Sequence, residues 1–318
     1  MNEPRKALVV GIDDYLHYPL RGSVNDAVKI GKLLERHMDG SPNFEVKTLL
    51  SSNQKITQGL LKEAIDNLFS DNPSIALLYF AGHGFTNSYG GYLVTSDFKR
   101  YDEGVSMAET IQLANQSKAT NKVILLDCCY SGSLAMPTLG DNEVSELSDG
   151  LTILTACREH ESANEDQNGI FSSLLIEALE GQCADLTGSI IPSNIYAYID
   201  QALGLWDEQR PVFKTNVSRF ISLRKVTPPI DQAVLRKLSE YFETADSEYP
   251  LSAEYEFTHA EADEKLVPIF KNLQKLERVG LVVPVGEEHM YFAAVNNKSC
   301  TLTTLGKQYW KLIDSGRI

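Results

Sequence analysis

The chain has 318 residues, 43% of them hydrophobic and 23% charged, the proportions of an ordinary globular protein with room for one large domain and one small one. Its formal charge of −14 argues against nucleic acid as a main partner, because phosphate binding takes clustered Lys and Arg. No continuous apolar run approaches the roughly 18–20 residues of a membrane span, and the opening "MNEPRKALVVGIDDY" breaks at two aspartates too early for an export signal, so a cytoplasmic protein with no membrane partner is expected.

The first two-thirds alternate short apolar runs with amphipathic segments. Strands are predicted over 6–11, 44–49, 74–80, 122–127, 151–155 and 219–224, with helices over 24–38, 57–69, 106–116, 170–179 and 194–203. Runs such as "SIALLYF" carry no polar alternation, which suits strands buried on both faces. Repeated strand–helix alternation therefore predicts an α/β fold, a mostly parallel sheet flanked by helices. A short strand over 90–94 is expected to form an accessory hairpin. The stretch 133–150 is polar and acidic, without helical period, and reads as a surface loop.

"KVTPPID" interrupts the pattern, and two successive prolines suit a stiff linker. The expected division is a domain over 1–225, a Pro-rich linker over 226–231 and a second domain over 232–318. In the latter, helices are predicted over 232–244 and 263–279. Two strands, "GLVVPV" and "HMYFAAV", follow around Gly286-Glu287-Glu288, and then a last helix, "TLTTLGKQYWKLI". Helix, helix, hairpin, helix resembles a winged-helix module, a small α+β fold that often binds DNA. With 10 basic and 13 acidic residues over 232–318, a regulatory protein partner fits better than a duplex.

Two strand ends carry reactive side chains. "SIALLYFAGHG" ends at His83-Gly84, and "KVILLDCCYSG" carries Cys129 near its end. The carboxyl edge of a parallel sheet is where sites form, so His83 and Cys129 make a base–nucleophile pair for cysteine peptidase chemistry. The N–H groups of Gly84 and Cys129 are the expected oxyanion donors, and "YSGSL" after the cysteine is expected to open a helix, which would lower the thiol pKa. The other cysteines, Cys128, Cys157, Cys183 and Cys300, are scattered. No pair has CxxC zinc spacing, so no metal site is assigned.

Over residues 5 to about 224 the chain resembles caspase-like peptidases of the metacaspase branch, in their bacterial form. "ALVVGIDDYLHYPLRGSVNDA" resembles the N-terminal motif, "YFAGHG" the histidine motif and "DCCYSG" the cysteine motif, while "ILTACREHESANE" and "GIFSSLLIEALEG" resemble the small-subunit region. The resemblance implies Cys129 as nucleophile, Cys128 as its neutral neighbour and His83 as base. It also implies that Asp26 and Asp127 line the primary specificity pocket. Two carboxylates there would favour a guanidinium or ammonium, hence cleavage after Arg or Lys of a protein with such an exposed site. Asp26 has an alternative reading as a carboxylate at a helix N-terminus. Ala81 stands where the family often has Ser, and Tyr130 where it usually has His. Some members respond to calcium, but no EF-hand loop occurs and "TSDFKRYDEG" is too thin for a site, so no cofactor is assigned.

The sequence thus reads as a cysteine endopeptidase performing limited proteolysis of a partner protein, by analogy in bacterial stress or antiphage defence. Two alternatives stand: a scaffold or pseudoenzyme, and a transcription regulator acting through the C-terminal domain. Because 133–150 contains no Lys or Arg, self-cleavage there is not expected, and Lys225 in the linker is the more exposed candidate.

Overall fold

The computed structural model describes residues 4–70, 73–99, 101–128, 147–156, 169–203 and 211–318. Cys129, the expected helix after it, Cys157 and 133–146 of the polar stretch lie outside the described residues. The chain divides into two compact units, Met1–Thr227 and Pro228–Ile318.

The first unit runs β1 (Arg5–Gly11), α1 (Ser23–Glu35), β2 (Glu45–Leu50), α2 (Gln58–Ser70), β3 (Ile75–Ala81), β4 (Gly84–Asn87), β5 (Gly90–Leu93), β6 (Val105–Ser106), α3 (Met107–Gln116) and β7 (Asn121–Asp127). It continues with β8 (Leu151–Thr155), α4 (Ile170–Glu177), β9 (Ser189–Ile190), α5 (Pro192–Leu203), β10 (Val212–Asn216) and β11 (Arg224–Lys225). Six strands form one sheet in the order β10-β8-β7-β3-β1-β2. All its pairings are parallel except that of β10 with β8. The mostly parallel α/β sheet expected from the sequence is present, with one difference. The last strand of this sheet is Val212–Asn216, not 219–224; Ile221 and Leu223 pack into the core, and the chain there pairs with Ser189–Ile190 instead, through Arg224–Lys225 and the Leu223 N–H, which donates to Ile190 O at 2.7 Å.

The sheet is covered on both sides. Every residue of β3 is buried, and its side chains alternate between two cores. Leu77, Tyr79 and Ala81 face Ala27 and Ile30 of α1 and Phe171 of α4. Leu78 and Phe80 face the side of Leu61 and Ile65 of α2 and Ile111 of α3. Helix α1 lies tight against the end of β1: a Cβ on Gly11 would stand 2.6 Å from the Ser23 carbonyl oxygen, so only glycine fits there. At the carboxyl edge the three central strands end in register, Gly11 opposite Ala81 and Ala81 opposite Asp127. The accessory hairpin is β4-β5-β6, antiparallel throughout.

The second unit contains α6 (Gln232–Arg236), α7 (Leu238–Tyr241), β12 (Glu248–Pro250), α8 (Leu266–Arg278), β13 (Val282–Val285), α9 (Met290–Val295), β14 (Ser299–Leu302) and α10 (Thr304–Asp314). "HMYFAAV" is therefore not a strand. Met290, Ala293 and Ala294 are buried at helical spacing, and the partner of β13 is β14, which also pairs with β12. The expected two-strand hairpin around Gly286-Glu287-Glu288 is replaced by a strand, a helix turn and a returning strand. Among the described residues, no helix is long and apolar enough to cross a membrane.

Candidate active site

The backbone ladder continues past the strand ends. Ile12 N–H donates to Ala81 O at 3.0 Å and Gly82 N–H to Asp127 O at 3.2 Å. His83 follows directly, half-buried, at the middle of the carboxyl edge. Its Nε2 lies 2.7 Å from the Tyr18 carbonyl oxygen. A carbonyl only accepts, so Nε2 carries the proton and Nδ1 of the neutral ring keeps its lone pair. Tyr18 holds this carbonyl in place from a φ of 63°, a left-handed conformation costly for a bulky residue.

Tyr15 fixes the main chain of the same histidine. Gly84 and Leu93 are paired residues in the β4–β5 hairpin, so His83 stands opposite Val94. Val94 N–H donates to His83 O at 3.0 Å, but the reciprocal bond runs through a side chain. His83 N–H donates to the Tyr15 hydroxyl at 3.0 Å, and that hydroxyl lies 3.3 Å from Val94 O, to which it donates. The Tyr15 ring also packs on the imidazole, with centroids 4.6 Å apart. The arrangement needs Gly82, where a Cβ would meet the Tyr15 hydroxyl at 2.4 Å. Burial, chiefly, pushes the Tyr15 phenol well above its ordinary pKa, so it remains a donor. Alternation along an antiparallel pair points the N–H of Gly84 away from β5, on the outer side of β4, which is the edge of its small sheet.

The acidic residues gather on the α1/α4 side. Ser172 of α4, fully buried, donates to Asp127 Oδ2 and accepts from the Tyr79 hydroxyl at 2.6 Å. Desolvation pushes the Asp127 carboxyl up to about 7, against the lowering effect of the Ser172 bond and with the Asp26 charge adding to the rise. Asp26 lies in the first turn of α1, as its alternative reading as a helix N-terminal carboxylate requires. Burial raises its pKa, offset by Lys29 and reinforced by Asp13. Asp13 Oδ2 accepts weakly from Gly22 and Val24 N–H at 3.5 and 3.3 Å, and its buried Oδ1 has no hydrogen-bond partner among the described residues.

Of the residues singled out from sequence, His83, Gly84, Asp26 and Asp127 all reach this edge; Cys129 lies outside the described residues. Cys128 is buried in the core on the α2/α3 side. Asp13, Tyr15 and Ser172 were missed. For the first two the available signal was their place just beyond the first strand, in "GIDDY". Ser172 offered only a serine in an apolar helix. Lys225 has an exposed side chain, but its N–H donates to His37 Nδ1 at 3.0 Å and its carbonyl accepts from Met38 N–H at 2.9 Å. Its backbone is therefore held in the fold and is not a free linker. Among the described residues, no cluster of three or more His, Cys, Asp or Glu is arranged to hold a metal.

In comparisons with known proteins, no curated protein matches the chain. Among solved structures it resembles the protein GSU0716 of Geobacter sulfurreducens, at 16% identity and a TM-score of 0.51, over 70% of this chain and 97% of that one. Caspase-1 of Spodoptera frugiperda aligns at 15% identity and a TM-score of 0.48, over 71% of this chain and 93% of that one. A family model, the caspase domain, matches residues 4–214, the stretch that holds the His83 edge and the six-stranded sheet as far as the middle of β10. The chain belongs to the caspase-domain family of cysteine peptidases.

Proposed function

We propose that the chain is a cysteine endopeptidase of metacaspase type that cuts after Arg or Lys, with Cys129 as nucleophile and His83 as base. The observation that carries this reading is the His83 Nε2–H bond to the Tyr18 carbonyl at 2.7 Å, which leaves Nδ1 as the proton acceptor. Nδ1 takes the Cys129 thiol proton, and the thiolate attacks the scissile carbonyl carbon. The oxyanion is met by the N–H groups of Gly84 and Cys129. As the C–N bond breaks, the proton on Nδ1 passes to the leaving amine. Water then attacks the thioester carbon as Nδ1 takes one of its protons, and as the C–S bond breaks that proton passes to sulfur, releasing the acid and restoring the thiol.

The basic side chain before the cut is received by Asp26 and Asp127, with Asp13 behind them adding to the negative field. A guanidinium placed there recovers much of the desolvation cost that these carboxyls carry in the free protein. The substrate is a partner protein with an exposed Arg or Lys, cut at few places, and the unit from Pro228 to Ile318 recruits or senses a regulatory protein.

The test is cleavage of a peptide library varied at the residue before the cut, using wild type, Cys129→Ala and His83→Ala, each with and without calcium. Cutting after Arg and Lys that both variants abolish is expected. Cutting after Asp would overturn the assignment of Asp26 and Asp127, and cutting that survives Cys129→Ala would overturn the nucleophile.

A further inference from the structure

A second recess opens beside His83, distinct from the acidic group. It is a cleft of about 470 Å³ bordered by Leu16, Tyr18, His83, Phe85, Ser96 and Phe98, within the size range of ligand sites. Its walls are mostly apolar and partly open to solvent: Leu16 is 88% exposed, Tyr18 80% and Phe98 44%, with Phe85 and Phe98 meeting edge to face at 6.0 Å. Such side chains at a free surface are costly unless something covers them. Ser96 borders the cleft at 9% exposure, and its buried Oγ has no hydrogen-bond partner among the described residues.

The cleft and the acidic residues stand on opposite faces of the sheet. Asp127 bonds to Ser172 of α4 and Asp26 lies on α1, both on the side of Tyr79 and Ala81. Tyr15, Val94 and Phe85 belong to the other side, with α2 and α3. His83, at the end of the central strand β3, stands between them. A peptide crossing this edge with its basic side chain among the carboxylates must pass over His83. The residue whose nitrogen takes the proton from His83 is the one that follows the cut, and it is the one delivered to the cleft.

Resting on the peptidase reading above, we infer that this cleft is the site for the side chain following the scissile bond, and that it selects a large aromatic one. An aromatic ring would fill the space between Leu16, Phe85 and Phe98 and stack on rings already edge to face. A small or acidic residue would leave these apolar walls wet. Ser96 Oγ, turned about its Cα–Cβ bond, supplies a hydrogen bond to the main chain or to a phenol.

The test measures binding of fluorescent peptides to full-length Cys129→Ala protein, where nothing is cut. Two peptides carry Arg followed by Phe or by Gly, and a third has Ala in place of Arg before Phe. The Arg-Phe peptide is expected to bind about tenfold tighter than Arg-Gly, the scale of one apolar side chain leaving water. In Leu16→Ala and Phe98→Ala, both changes of exposed side chains, the ratio should fall to about twofold. Equal or absent binding of the Phe and Gly peptides, as when a segment of the chain or a second copy fills the cleft, overturns the inference. If Ala for Arg changes nothing while Phe over Gly persists, the acidic pocket fails and the cleft stands.

Discussion

The Tyr15 hydroxyl takes the place in the hairpin ladder where His83 N–H would otherwise meet its partner carbonyl, 3.0 Å from the histidine nitrogen. One side chain therefore sets both the main chain of the proposed base and, by ring contact, the tilt of its imidazole. Tyr15→Phe keeps the ring and deletes the relay. A loss of about 1–2 kcal/mol in stability is expected, read by denaturant unfolding. Peptidase kcat should drop about tenfold with KM little changed, because misplacement of the base acts on the chemical step. An unchanged kcat would reduce Tyr15 to a packing residue.

Gly82→Ala should do more damage than its size suggests. The added methyl would sit 2.4 Å from the Tyr15 hydroxyl, so loop and tyrosine must part. A destabilisation of about 1–3 kcal/mol is expected, with activity falling at least as far as in Tyr15→Phe. Gly59→Ala is the matched control. It lies in α2 with nothing within 4 Å of the new Cβ, and should stabilise by about 0.5–1 kcal/mol without touching activity. Thermal melts and kinetics on both variants decide it.

Asp127 gives a pH signature. Its carboxyl is raised from 3.8 to about 7 by burial, so the charge that would hold a guanidinium in the proposed pocket is present above about pH 7 and lost below it. For Arg substrates kcat/KM should rise through that pH, and Asp127→Asn should remove the limb together with most of the preference for Arg over neutral residues. Stability runs the other way. Between about pH 4 and 7 the unfolded carboxyl ionises while the folded one stays protonated, so the unfolded state gains and stability falls as pH rises. Melting temperature across that window, wild type against Asp127→Asn, reads the sign directly.

Ser172→Ala strips Asp127 of the hydrogen bond that opposes its raised pKa and leaves the buried Tyr79 hydroxyl without its acceptor. A cost of about 1–3 kcal/mol is expected, and the activity limb should move to higher pH. A limb that stays put would show that another group sets it.

Self-cleavage should be slow. The 133–150 stretch has no Lys or Arg, and both backbone groups of Lys225 are engaged, by His37 and Met38. A peptidase must hold its substrate extended, so cutting after Lys225 requires local unfolding first. Long incubation of active protein should leave one full-length band by mass spectrometry. Rapid cleavage within 133–150 would rule out selectivity for basic residues.

Strand ends were legible because they are punctuated. "YFAGHG" and "LLDCCYSG" stop apolar runs with small residues, and register then brings Ala81 opposite Asp127. The Tyr15 relay was not legible, since it depends on how a loop after β1 meets a hairpin formed some seventy residues later. Ser172 was hidden because an internal serine in an apolar helix marks a site only once the strand facing it is known. The misreading of Met290–Val295 has a different cause. A short run of apolar and aromatic residues fits strand and helix equally, and only burial at Met290, Ala293 and Ala294 decides between them.

The two-sided burial of β3 has an evolutionary consequence. Helices α1 and α4 furnish one wall of the proposed cleavage edge, and the loop after β1 with the β4–β5 hairpin furnishes the other, with a fully buried strand between. The walls meet at Asp13, whose charge acts on both Tyr15 and Asp26, so substitutions that leave Asp13 in place should add in free energy. Preference on the two sides of the cut can then drift separately, each lineage retuning one flank while the histidine stays anchored.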